Sequence, residues 1–205
     1  MIHRHLDALP MIAILRGLDP DEAVAIGEAL FDAGFRCLEV PLNSPRPLDS
    51  IARLAARFGE TMLVGAGTVL TPAAVDEVRA AGGRLIISPN ANPVVIAHAK
   101  AQDLICLPGV FTPTEAFSAL EAGADGLKLF PAEIAGTAGL KALKAVLPKT
   151  TPIYAVGGVD PGSIQTWRDA GANGFGIGSS LYKPGVSAEE AGRRATAFVG
   201  AWKTV

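Results

Sequence analysis

The chain has 205 residues, 49% of them hydrophobic, and a formal net charge of -2, which suits one domain spanning residues 1–205 with a substantial core. A mean hydropathy of +0.33 and a pI near 5.9 offer no electrostatic case for nucleic acid or an anionic membrane, and every apolar run stops short of the ~18 residues of a membrane span. The start, Met1-Ile2-His3-Arg4-His5-Leu6-Asp7, lacks the apolar segment of a signal peptide, so the expected compartment is cytoplasmic.

The first strand is predicted near Met11–Leu15 and ends on Arg16, with a helix starting near Pro20. A second strand near Cys37–Pro41 carries Glu39 between Leu38 and Val40, and a helix starts near Pro47. The third, near Met62–Ala66, runs into Gly67-Thr68 before a helix at Pro72. The fourth, near Arg84–Ile87, is followed by Ser88-Pro89-Asn90, read as cavity wall, and a helix at Pro93. A fifth strand near Leu104–Leu107 precedes a helix at Pro113. The sixth, near Gly126–Phe130, carries Lys128, with a helix near Gly139. The seventh, near Ile153–Val156, opens into Gly157-Gly158-Val159 and a helix near Gly162. The eighth, near Gly174–Ile177, opens into Gly178-Ser179 and a last helix from Ser187.

The punctuation is regular. Thr71-Pro72, Asn92-Pro93 and Thr112-Pro113, and also Asp19-Pro20, set an N-cap type before a proline, whose absent N–H costs nothing in a first helical turn. Ala33-Gly34, Ala81-Gly82, Ala122-Gly123 and Ala170-Gly171 each close a helical pattern where a left-handed cap is wanted, and an apolar run follows. The alternation, repeated eight times, predicts an α/β fold: a single (β/α)₈ TIM barrel with short loops rather than an open doubly wound sheet. Active sites of such barrels lie at the C-terminal ends of the strands.

Side chains alternate along a strand, so Leu127 and Leu129 face the helices while Lys128 and, by the same logic, Glu39 point inward. A desolvated lysine is a neutral nucleophile able to form a Schiff base, and a carboxylate beside it can move protons. A structural ion pair, or a lysine snorkelling to the rim, is the bland alternative. Arg16 can grip a carboxylate through two parallel bonds, or bond loop carbonyls at the rim. Thr68 can offer a hydroxyl to a substrate oxygen, although Gly and Thr are also ordinary turn residues. The Gly-rich turns after the last two strands sit where many barrels hold a phosphate on backbone N–H groups. His3, His5 and His98 are too scattered for a metal site. Cys37 and Cys106 read as buried small hydrophobes, Trp167 and Trp202 as packing residues, and Arg193-Arg194 as solvent-facing.

With these residues in order, the chain resembles the 2-dehydro-3-deoxy-6-phosphogluconate/galactonate aldolase family of class I aldolases. The likeness rests on Ile12-Ala13-Ile14-Leu15-Arg16-Gly17, Leu38-Glu39-Val40-Pro41-Leu42-Asn43-Ser44, Val64-Gly65-Ala66-Gly67-Thr68-Val69-Leu70, Leu127-Lys128-Leu129-Phe130-Pro131 and Ala155-Val156-Gly157-Gly158-Val159. It implies that Lys128 forms the Schiff base and Glu39 moves protons. It implies further that Arg16 and Thr68 bind the pyruvate half, and that Gly157, Gly158, Val159, Gly178 and Ser179 line a phosphate site. The implied substrate is a phosphorylated keto-deoxy sugar acid, cleaved to pyruvate and D-glyceraldehyde 3-phosphate with no cofactor and no metal, by a homotrimer. The gluconate branch carries Glu-Val-Thr-Leu-Arg-Thr where this chain has Glu39-Val40-Pro41-Leu42-Asn43-Ser44, so an expected arginine is Asn43. That version looks like the galactonate branch, which implies a place in galactonate catabolism. The gluconate epimer, or action on both epimers, remains the alternative within the resemblance. Outside it stand a phosphate-binding isomerase or synthase, a non-catalytic sugar-phosphate sensor and a metal-dependent aldolase.

Overall fold

A parallel sheet closes on itself. In the computed structural model, which describes residues 4–204, the strands are β1 (Met11–Ile14), β2 (Cys37–Pro41), β3 (Leu63–Gly67), β4 (Leu85–Ile87), β5 (Ile105–Leu107), β6 (Gly109–Val110), β7 (Leu127–Leu129), β8 (Ile153–Val156) and β9 (Gly174–Ile177). Their order is β5-β4-β3-β2-β1-β9-β8-β7-β6, parallel throughout. The two ends of that order are halves of one predicted strand. Pro108 separates them because it has no N–H to continue a ladder. One half pairs β4 and the other pairs β7, so the ring closes as an eight-fold barrel.

The helices are α1 (Arg4–Ala8), α2 (Ala23–Ala33), α3 (Pro47–Phe58), α4 (Pro72–Ala80), α5 (Pro93–Ala101), α6 (Pro113–Glu121), α7 (Ala132–Val146), α8 (Ile164–Asp169) and α9 (Ala188–Lys203). The predicted caps form: the side chains of Thr71, Asn92 and Thr112 accept from Ala74, Val94 and Glu115 N–H, and Thr112 with Glu115 completes a capping box. Asp19-Pro20 instead starts a turn, and α2 begins three residues later at Ala23. Conversely, α7 starts well before Gly139, directly after Pro131, and absorbs a break at Gly136. The short α1 was not predicted, since five residues are too few to display a helical period.

Each of the four repeated glycines adopts the expected left-handed conformation, with φ of 113° at Gly34, 87° at Gly82, 97° at Gly123 and 101° at Gly171. In each case the next N–H reaches back five residues, Phe35 to Leu30, Gly83 to Val78, Ala124 to Ala119 and Ala172 to Trp167. This closed turn aims the chain from helix back to strand every time.

Strand alternation sorts the apolar residues into two layers. Outward residues such as Leu38, Val64, Ile86, Leu127, Leu129 and Phe175 pack against the helices. Inward residues Ile12, Cys37, Leu63, Leu85, Ile87, Leu107 and Tyr154 form a separate cluster, which Leu6 of α1 also joins. That cluster is an apolar floor, and it raises whatever follows it on each strand toward the C-terminal mouth. Cys37 belongs to the floor and Cys106 to the outer layer, and both thiols are free. Trp167 is buried, and Trp202 packs edge-on to Phe175. Arg193 and Arg194 pair with Glu190 on α9, and His98 pairs with Asp76. His3 lies outside the described residues.

Candidate active site

Two residues beyond Cys37 on β2, the inward position is Glu39, and on β7 it is Lys128; they are 2% and 7% exposed. Together with Ile14, Arg16, Phe130, Val156, Gly176 and the turns after β8 and β9, they line a cavity of about 370 Å³ at the C-terminal mouth. Room for the carboxylate comes from β3. A Cβ built at Gly67 would land on the Glu39 carboxylate itself, so glycine there is a steric condition for Glu39.

Burial dominates the electrostatics. It pushes Glu39 up from 4.5 to about 7, against the opposing pull of the Lys128 and Arg16 charges and the Gly67 N–H. Burial also lowers Lys128; Glu39 opposes that change and the like charge of Arg16 reinforces it. A carboxyl poised near neutrality can both give and take a proton, and a lysine driven toward its neutral form can attack a carbonyl. The Glu39 Oε2 atom is buried without a hydrogen-bond partner, and the Lys128 Nζ lies 4.5 Å from the Phe130 ring centroid. The two groups therefore face the cavity as coupled charges and are not consumed in a closed ion pair. Cys37 beneath them is pushed well above the ordinary thiol range by burial and by Glu39, and stays an unreactive thiol.

The far side of the cavity is formed by the Gly-rich turns after β8 and β9, with Asp160 also among the lining residues. Gly157 and Gly158 have φ of 113° and 67°. The Ser180 hydroxyl donates to the Val159 carbonyl at 2.9 Å and ties the two turns together. Among the described residues, the N–H groups of Gly158, Val159, Ser179 and Ser180 meet no acceptor, although all four line the cavity. Backbone donors left unpaired along a cavity wall are the kind of group that can bind an anion.

Eight of the nine candidate residues therefore line one cavity: Arg16, Glu39, Lys128, Gly157, Gly158, Val159, Gly178 and Ser179. Thr68 does not line it; it is half-buried just past β3 in a left-handed conformation, φ 59°. Ser88, Pro89 and Asn90 do not line it either, and the Ser88 hydroxyl instead donates to the Val69 carbonyl at 2.6 Å. Sequence reasoning passed over Phe130 and Val156, which follow Lys128 and Tyr154 by two residues and so share their inward face; that alternation was the available signal. Among the described residues no group of three or more His, Cys, Asp or Glu could hold a metal ion.

Comparison with known proteins leads to the same chemistry. The family model described as KDPG and KHG aldolase matches residues 2–195. The 2-dehydro-3-deoxy-6-phosphogalactonate aldolase of Escherichia coli (strain K12) is 49% identical over 195 residues, covering 95% of both chains. The solved structure of native KDPGal superposes with a TM-score of 0.94 at 48% identity, covering 96% of this chain and 95% of that one. A KDPG aldolase from Legionella pneumophila, solved with pyruvate captured at low pH as a covalent carbinolamine intermediate, superposes with a TM-score of 0.88 at 26% identity, covering 97% and 98%.

Proposed function

We propose, for a chain that belongs to the KDPG and KHG aldolase family, that Lys128 and Glu39 are the nucleophile and the proton shuttle of a Schiff-base aldolase. Its substrate is 2-dehydro-3-deoxy-6-phospho-D-galactonate and its products are pyruvate and D-glyceraldehyde 3-phosphate. The observation that carries this reading is a lysine buried inside the barrel, lowered by desolvation, facing a carboxyl raised toward neutrality across one cavity.

The substrate carboxylate docks on Arg16, and the terminal phosphate on the N–H groups after β8 and β9. Anchoring both ends holds the ketone against Lys128 and converts remote binding energy into orientation. The neutral amine adds to C2, and Glu39 delivers a proton to the departing hydroxyl, releasing water and leaving a protonated imine. Glu39, or a water it orients, removes the C4 hydroxyl proton. The electrons of the C3–C4 bond move to the iminium, freeing the aldehyde and leaving an enamine. Protonation at C3 and addition of water return pyruvate and the free amine. Every step is proton transfer or carbonyl chemistry, so this chain's own residues suffice.

The assembly proposed is a homotrimer. Its support is the exposure of large apolar residues on consecutive strand–helix units, Leu70, Val94, Phe111, Phe117, Ile134 and Val146. The proposed compartment is cytoplasmic, supported by two buried free cysteines. Borohydride reduction with pyruvate, followed by peptide mass mapping, tests the mechanism. The label is expected on Lys128 alone, and Lys128→Met should lose both label and turnover. Labelling elsewhere, or substantial turnover in that variant, rejects the assignment.

A further inference from the structure

Arg16 is exposed at the cavity mouth on a long, flexible stem, a poor starting point for a group that must bind a small carboxylate in one pose. Its Nη1 donates to the Asn43 Oδ1 at 2.5 Å. The neighbouring pairs repeat the pattern: the Gly17 N–H donates to the Ser44 hydroxyl at 2.9 Å, and Arg46 Nη2 to Asp19 Oδ1 at 3.3 Å. Each bond spans 27 residues, so the connections after β1 and β2 are laced in register. The corner bearing Asn43 is itself pinned. The Leu42 N–H donates to the Gly67 carbonyl at 2.8 Å, the Ser44 N–H donates to the Pro41 carbonyl at 2.9 Å, and Ser44 is buried. Asn43, itself exposed, thus presents its acceptor to one end of the guanidinium from a pinned corner.

We propose that Asn43 is a positioning residue that engages Arg16 Nη1 and so turns the remaining Nη2–Nε edge toward the substrate carboxylate. That edge holds two parallel donors, the match for a carboxylate. The amide acceptor is neutral, so it orients the arginine without competing for its charge, as an acidic partner would. The proposal rests on the Schiff-base reading above and specifies how its carboxylate end is held.

The test compares borohydride trapping by wild type and Asn43→Ala, with pyruvate and with methyl pyruvate, which lacks the carboxylate. Freeing Arg16 costs the ordering of one rotamer-rich side chain on binding, so half-saturating pyruvate should rise roughly 2- to 10-fold. The trapped fraction at saturation and the concentration dependence for methyl pyruvate should stay at wild-type values. With the phosphorylated substrate, KM should rise with kcat retained. An unchanged pyruvate dependence, or an equal rise for both probes, overturns the proposal. Failure of the underlying reading gives a different result: wild type then traps neither probe, and the role of Asn43 falls with it.

Discussion

Glu39→Gln is expected to make a slower enzyme and a more stable protein, and the second effect depends on pH. Burial raises Glu39 from 4.5 to about 7. The folded state therefore holds this proton more tightly than the unfolded chain, and wild-type stability from this group falls as pH rises from about 4.5 to about 7. Above that window the ionised carboxylate is a fixed penalty. At about 1.4 kcal/mol for each pH unit, it amounts to about 3 kcal/mol. A glutamine has no such penalty. It also withdraws the counter-charge of Lys128, which then loses its proton more readily, and it inherits the unpartnered Oε2 position. Both effects hold the gain below the limit, to about 1–3 kcal/mol at pH 8, shrinking to under about 1 kcal/mol at pH 5. Equilibrium urea denaturation at the two pH values and one protein concentration reads this directly. Turnover should drop by about 10²–10⁴-fold. A variant no more stable than wild type at pH 8, or equally stabilised at both pH values, would refute the claim that a buried charge is being carried for catalysis.

Gly67→Ala places a methyl group on the Glu39 carboxylate; a loss of about 1–3 kcal/mol in thermal or urea unfolding is expected, together with a sharp fall in kcat. Gly158→Ala forces an L-residue to φ 67° with its Cβ 2.8 Å from that of Glu133. Its KM for the phosphorylated substrate should rise while pyruvate trapping is retained, because only the wall proposed to hold the phosphate is disturbed. Pyruvate release from the gluconate and galactonate epimers at matched concentrations should favour the galactonate form, and a preference for the other would reverse the branch assignment.

The repeat that organises this chain is visible in its letters because its physical causes are local. A glycine cap needs only its own φ, a proline at a first helical turn only its missing N–H, and an inward lysine only the alternation of a strand. The barrel, its eight-fold repeat and the inward placement of Lys128 and Glu39 follow from those rules. They do not cover Pro108, where one strand serves two neighbours, or α1, whose Leu6 joins the apolar floor from outside the repeat. Nor do they reveal that Gly67 and Glu39, 28 positions apart in a chain of 205, compete for one volume. Thr68 shows the same limit, since a motif next to a strand end does not say which way its side chain leaves the wall. The candidate reacting groups, Lys128 and Glu39, could be named from the sequence. Their desolvation, the shift of both toward neutrality and the lacing of Arg16 to Asn43 arise only when distant strands close into a ring, because burial and charge coupling depend on neighbours in space.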